Sequence, residues 1–386
     1  MFKAATVTLK NKFSRDMGRR LGKALVEKLG DFPQACWLFC SPQTGQREFL
    51  KGIVSAVRTH ALVGCTTDGE ISSEGFSAGS AVLGGIASDQ IHFQVACATN
   101  LGQDSEKAGQ ELARNFSPGT SYLQLFSDGL TGNGCALLRG MAAVLGPQTP
   151  IAGGTAGDGG KFVRTRQYIG DRVLTDAAVA IGFSGDFQVG TGVRSGWSPL
   201  GIAKRVTRAS GNVLYELGGQ PALEVYERFL GKHAERLPAV GVEYPLGLVN
   251  GSGDCGGGEY HLLRATMSVN REKGSITFAG EIPEGAMVRM TCGDTGAILE
   301  AASRAMELAQ EDLGGRSPVM AFFYSCMARK IVLGRRTQEE FELIRQKVGR
   351  GIPILGFYTY GEYCRVRPGG PSFLHNETAT VSLIGI

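Results

Sequence analysis

The stretch Gly64-Cys65-Thr66-Thr67-Asp68-Gly69-Glu70 returns late in the chain as Gly356-Phe357-Tyr358-Thr359-Tyr360-Gly361-Glu362, with Gly, Thr, Gly and Glu at the same places. A shorter relative, Gly153-Gly154-Thr155-Ala156-Gly157-Asp158, lies between them. Each of the three follows a short apolar run, and each is followed by another. Working outward, the first turn closes a unit that reads as strand 4–9, helix 14–29, strand 36–40, helix 47–59 and strand 61–64, with a return strand at 81–86. The second unit repeats the order with strands at 92–97, 122–126 and 150–152, helices at 105–115 and 135–145, and a return strand at 177–183. A third has strands at 287–291, 319–324 and 353–355, helices at 295–310 and 338–348, and a last strand at 378–384. The middle strands run into Ser41, Ser127 and Ser325.

Short apolar strands alternating with amphipathic helices predict an α/β protein of repeated βαβαβ units forming helix-covered sheets, in two related halves with an inserted bridge. The N-terminal domain would span 1–190 and hold two units. The C-terminal domain would span 191–386, with a bridge over about 191–275 and the third unit over about 276–386. The bridge holds a helix at 221–229 and the Gly-rich run 251–258, with Ser252, Asp254 and Cys255.

Composition narrows the function. The chain has 386 residues, 40 Lys and Arg against 36 Asp and Glu, and a formal net charge of +4. That balance argues against a nucleic-acid partner. The basic residues between Arg15 and Lys23 read as the solvated face of a helix. The N-terminus has no apolar signal core and no apolar run has membrane-spanning length, so no membrane is implied and the expected location is the cytoplasm. Nine Cys, an odd number with no Cys-x-x-Cys, fit reduced buried thiols. The 57 Gly are roughly twice the average share and imply many tight turns and close backbone approaches.

In open α/β sheets ligands sit at the carboxyl ends of strands, where all three turns and the Ser residues lie. The candidate ligand-binding residues are therefore Cys65, Thr67, Asp68, Glu70, Ser127, Asp128, Gly153, Asp158, Ser325, Arg329, Tyr358, Thr359 and Glu362. The competing explanation is structural: Gly-acidic pairs make turns, and every copy of a unit needs the same turn.

At these residues the chain resembles the FIST family of bacterial sensory domains, which have an N-terminal and a C-terminal part. The resemblance lies in residues 64–71, in residues 151–158, in Phe323-Tyr324-Ser325-Cys326-Met327-Ala328-Arg329, in the turn 358–362, and in His375-Asn376-Glu377-Thr378. It implies small-ligand sensing, first proposed for amino-acid-like ligands. Stand-alone members include haem-binding nitric oxide sensing proteins that act on a histidine kinase or a cyclic-di-GMP enzyme. With no kinase or receiver segment visible, this chain would signal through such a separate partner, and a homo-oligomer stays open.

A haem b group needs an axial ligand, commonly His. Of the five His, His375 in the signature block is the first choice, with His60 and His92 as alternatives, and no metal beyond haem iron is implied. Without haem, Glu70 or Glu362 would meet the ammonium of an amino-acid-like ligand and Arg329 its carboxylate. An enzyme would use Cys65 or Cys326 as nucleophile, but Gly-x-Ser-x-Gly, Walker A and His-Glu-x-x-His patterns are absent. The Gly-x-Gly-x-x-Gly at Gly251, Gly253 and Gly256 lacks a following helix signal. The expectation is a sensor and not an enzyme; a scaffold that only presents a surface is the remaining class.

Overall fold

A computed structural model describes residues 1–249 and 262–386; the run 251–258 and His261 lie outside them. The local signals act as expected where a unit is continuous. Helix Arg15–Leu29 begins at Ser14, whose hydroxyl accepts from the Met17 N–H at 3.2 Å, and ends at Gly30 in the left-handed conformation. Its face of Leu21, Leu25 and Leu29 is buried. It packs backbone to backbone on helix Gln46–Val57, because a Cβ on Gly18 would stand 2.0 Å from the Phe49 carbonyl oxygen.

Three six-stranded sheets share one topology. The first orders Phe2–Leu9, Ala81–Ser88, Ala35–Cys40 and Leu62–Thr66; the second Ile91–Thr99, Ala177–Gly185, Tyr122–Ser127 and Ile151–Thr155; the third Gln188–Arg194, Ala379–Gly385, Pro318–Cys326 and Ile354–Thr359. In each, the two central strands are parallel and the return strand is antiparallel.

The remaining two strands of each sheet come from another unit. The hairpin Glu70–Ser72 and Gly75–Ser77, which follows the first turn, joins the third sheet. The hairpin Gln167–Ile169 and Arg172–Leu174, after the second turn, joins the first sheet. The hairpin Glu362–Arg365 and Ser372–His375, after the third, joins the second sheet. The exchange is cyclic, and it ties the N-terminal and C-terminal parts together through hydrogen bonds.

Both faces of every sheet are covered, as the apolar runs require. Trp37 and Phe39 point inward to a common core with Tyr122, Phe126, Phe183, Phe322, Tyr324 and Phe357, while Cys36, Leu38 and Cys40 point outward to the helices. Phe39 lies 4.5 Å from Phe357 and 5.2 Å from Phe126, ring centre to ring centre, so one residue touches all three sheets' contribution to the core. Burying each such ring stabilises the fold by about 2 kcal/mol.

Two expectations change. Strand Met287–Gly293 is not the start of the third unit; that place belongs to Gln188–Arg194, which pairs with Ala379–Gly385 as Phe2–Leu9 pairs with Ala81–Ser88. The boundary expected at 190 therefore cuts a strand. Between this strand and helix Thr295–Asp312 an inserted β unit interrupts the third repeat. It is one eight-stranded sheet whose two ends, Leu263–Arg264 and Thr266–Asn270, follow each other in the chain, so the sheet closes as a barrel. Helix Ala222–Leu230, expected at 221–229, packs its Leu223, Tyr226 and Leu230 into the barrel's core.

The second change concerns the Ser residues. Strand register pairs Cys40 with Thr66, Ser127 with Thr155 and Ser325 with Tyr358. Ser127 and Ser325 are equivalent, but their partner in the first unit is Cys40 and not Ser41. The glycines do align: Gly64, Gly153 and Gly356 face Leu38, Leu125 and Phe323. A Cβ at these three places would lie 1.8, 2.1 and 1.7 Å from the facing carbonyl oxygen.

Candidate functional site

The three turns meet at one end of the shared core. The Asp68 N–H donates to the Tyr358 carbonyl at 3.0 Å, and the Tyr358 N–H to the Gly69 carbonyl at 2.8 Å. Gly157 donates to Thr66 at 3.0 Å and Thr155 to Gly361 at 2.7 Å. Convergence is as the sequence led us to expect, but the turns fill the space between them. A Cβ on Gly157 would sit 2.9 Å from the Asp68 nitrogen, and one on Gly154 2.6 Å from Thr359 Cγ2. The glycines serve contact of chain on chain here.

The acidic residues are committed in the same way. Thr67 donates to Glu70 Oε1 at 2.5 Å, while Ser80 gives Oε2 its N–H at 3.0 Å and its hydroxyl at 2.5 Å. In the third unit Thr359 donates to Glu362 Oε1, and Thr378 gives Oε2 its N–H at 3.3 Å and its hydroxyl at 2.8 Å. Each carboxylate pins a turn to the following return strand. Burial pushes Glu362 up to about 7 despite these bonds, and pushes Glu70 up as well.

Asp158 accepts from the N–H groups of Lys161, Phe162, Val163 and Arg164 at 2.7 to 3.1 Å and from the Tyr360 hydroxyl at 2.5 Å. Burial works against the charged form, but these bonds outweigh it and hold the carboxyl below its ordinary value. Asp68 pairs with Lys330 at 2.6 Å, and its pKa is raised by burial that the lysine only partly offsets. Asp128 accepts from the N–H groups of Leu130 at 2.9 Å, Thr131 at 3.1 Å and Asp176 at 3.0 Å.

Arg329 is fully buried and committed. It pairs with Glu340 at 2.7 Å and donates to the carbonyls of Ser195 and Ile298. Ser325 and Tyr358 donate to the same Glu340, at 3.0 and 2.6 Å. Ser127 bonds Tyr363 at 2.7 Å. Glu70 or Glu362, expected from the sequence to meet the ammonium of an amino-acid-like ligand, and Arg329, expected to meet its carboxylate, are bonded to protein groups instead. Cys65 and Cys326 are buried, and burial pushes both thiols well up, away from the thiolate that a nucleophile needs.

The three histidines expected as haem ligands are poorly placed for that role. His375 is fully buried on the exchanged hairpin, with Nε2 2.9 Å from the Cys364 carbonyl oxygen. His60 and His92 lie exposed on the surface. None of the three lines any of the three hollows described below.

The usable space lies elsewhere. A groove of about 540 Å³ separates the inserted barrel from the second unit. Helix Gly134–Leu145 gives it Cys135, Leu138, Arg139 and Ala142; the exchanged hairpin gives Phe373 and Leu374; the barrel side gives Leu262, Arg264 and Glu281. It is larger than the apolar hollow of about 260 Å³ on the barrel. Leu374 is shared with a smaller hollow of about 210 Å³ that reaches Asp128, Thr155 and Tyr360. Polar bonds bridge the walls: Arg139 and Asn133 both donate to Glu281, at 3.2 and 2.8 Å, and Arg264 donates to the Leu374 carbonyl at 3.0 Å. The sequence carried one faint signal for it, an Arg in the apolar run Leu262-Leu263-Arg264-Ala265.

Residues 34–220 match the FIST N domain and residues 222–365 the FIST C domain. The chain belongs to the FIST family. FIST domains are small-ligand sensing domains. A relative from Mycobacterium tuberculosis, an uncharacterized protein, is 30% identical over 249 residues, 61% of each chain. Another, from Methanocaldococcus jannaschii, is 28% identical over 207 residues, 50% of this chain and 40% of its own. The chain thus spans about three fifths or less of the length of these relatives. Among solved structures, a cyanuric acid hydrolase from A. caulinodans aligns over 100% of this chain and 99% of its own with 8% identity and a TM-score of 0.39. No described helix is long and apolar enough to cross a membrane.

Proposed function

We propose that this FIST protein senses a small, mostly apolar molecule in the groove between the inserted barrel and the second unit. The observation that carries the reading is the groove itself. Its volume of about 540 Å³ falls in the range of small-molecule sites, and it sits at a domain junction, where such sites concentrate. Its lining is apolar with a few polar groups at the rim, the usual recipe for a ligand with one polar end.

The same geometry supports a signalling role. The bonds from Arg139, Asn133 and Arg264 to Glu281 and Leu374 fix how the barrel rests on the second unit. A ligand that prefers one setting of that junction shifts its population. A separate histidine kinase or cyclic-di-GMP enzyme would read the new setting. A haem-based nitric oxide sensor is the less favoured form of this proposal, since His375, His60 and His92 are buried and bonded or exposed.

A thermal-shift screen with metabolites tests the reading. A ligand at a hundredfold excess over its Kd stabilises the folded state by about 2.7 kcal/mol. The variant Ala142→Trp fills the groove from its half-buried helix face. It should keep the unliganded midpoint within a few degrees and lose the shift. A full shift in that variant places the ligand elsewhere.

A further inference from the structure

Each unit enters its return strand through one residue in the left-handed conformation: Gly79 with φ 72°, Asp176 with φ 49° and Glu377 with φ 63°. Their equivalence follows from hydrogen bonding. Ser41, Asp128 and Cys326 donate their N–H groups to Ser80, Ala177 and Thr378, each the next residue along. Gly fits this conformation freely. Asp is among the better-tolerated side chains there, and Asp176 is bonded, accepting from the Gly102 N–H and the Thr131 hydroxyl at 2.8 Å each.

Glu377 differs from both. It is 0% exposed, and both of its carboxylate oxygens lack a hydrogen-bond partner among the described residues. Beside it in sequence, Asn376 Oδ1 is also buried and unpartnered, while the amide nitrogen donates to Tyr360 at 3.5 Å. A buried acceptor left open costs stability, and a long side chain held at positive φ adds strain. Both costs concentrate where a group outside the chain completes the structure. The charges facing Glu377 are Glu362 and Arg329, with the Cys326 thiol alongside, and Arg329 is already taken by Glu340. The local balance leaves negative charge in excess.

We propose that Glu377 is the receiving group of a second site, for a small monovalent cation, either an alkali metal ion or a protonated amine. Its carboxylate would hold the cation, the amide oxygen of Asn376 is the nearest spare acceptor in sequence, and Glu362 adds negative charge. With no cation present a proton takes its place: burial first, then the charge of Glu362, push the Glu377 carboxyl well up, and Arg329 offsets this in part. The site is separate from the groove, and neither depends on the other.

The test uses the full chain at pH 8 in KCl, NaCl, ammonium chloride, methylammonium chloride and tetramethylammonium chloride at matched ionic strength. The expected result is a thermal midpoint that rises with concentration of at least one small cation and not with tetramethylammonium. Because a proton competes, the apparent Kd should rise about tenfold for each pH unit lowered. A response to KCl or NaCl alone identifies a metal ion; a response to the ammonium salts alone identifies an amine. Glu377→Gln and Glu377→Gly should both abolish the response, and the glycine variant should still fold, as Gly79 does at the equivalent place. Equal midpoints in all five salts, or an unchanged response in Glu377→Gln, would overturn the proposal and leave Glu377 a buried acid that only holds a proton.

Discussion

Glu70 and Glu362 play one part at two corners of the molecule. Each accepts the hydroxyl of the Thr three residues before it on one oxygen, and the N–H and hydroxyl of the first residue after a left-handed position on the other. The second unit lacks this carboxylate, and Asp158 instead gathers the loop 161–164. The acidic turns are therefore clasps that hold each exchanged hairpin where its own unit ends.

The clasp at Glu362 predicts a pH dependence. Its carboxyl is raised from 4.5 to about 7 in the folded protein. Between those values the unfolded chain releases a proton that the folded chain keeps, so stability falls as pH rises through the window and levels off above it. The size is at most about 3 kcal/mol. Urea midpoints at pH 5.5 and pH 8 should show the fall, and Glu362→Gln should flatten a good part of it. The same slope in the variant would show that other groups, such as Glu70 and Glu377, dominate.

The facing glycines predict a sharp contrast in tolerance. Gly356→Ala places a methyl 1.7 Å from the Phe323 carbonyl oxygen. Parallel strands cannot part there without breaking their ladder, so a loss of about 3 kcal/mol or more is expected. Gly351→Ala, with nothing within 4 Å and an ordinary backbone, should change stability by no more than about 0.5 kcal/mol. Chemical denaturation of the pair checks this.

Those glycines also mark what a sequence can disclose. The turns and helices are local, and their spacing showed in three copies, the clasp residues in two. The hairpin exchange pairs Glu70 with Phe357 and Tyr168 with Gly64, partners remote in sequence, so no spacing could announce it. Strand Gln188–Arg194 escaped notice because it carries Gly190 and Gly192, which let the carbonyls of Ala309 and Ala305 come close, and because the barrel separates it from its own unit. The apolar run 287–291 then stood in its place. Of the expected site residues, the turns converge but are closed on themselves, and the groove depends on how the barrel packs, which no local pattern records.

The junction makes a third prediction. Arg264 is buried and donates to the carbonyls of Glu281, Leu263 and Leu374 at 2.9 to 3.0 Å. Arg264→Met leaves these acceptors short of a partner and should cost about 2 kcal/mol. Glu281→Ala removes the partly exposed ion pair with Arg139 and one hydrogen bond from Asn133, and should cost about 1 kcal/mol. Both should speed hydrogen exchange in strand Ser372–His375; an effect of Glu281→Ala as large as that of Arg264→Met would mean that the rim pairs hold the junction.

Thiol labelling gives a fourth. Cys36, Cys40, Cys65, Cys326 and Cys364 are buried, and burial raises Cys364 to about 12. Iodoacetamide on the native protein should modify Cys97, Cys135 and Cys292, which are partly exposed, well before those five. Peptide mass mapping reads the order. Early labelling of Cys65 or Cys326 would contradict the closed core and favour a reactive thiol.

On the proposed function, ligand enters the groove and not the ring of turns. Hydrogen exchange with and without a ligand selected by the thermal screen separates the two. Added protection is expected in Gly134–Leu145, Leu263–Arg264 and Ser372–His375, with 66–70 and 155–158 unchanged. Protection centred on the turns, with those groove segments unaffected, would contradict it.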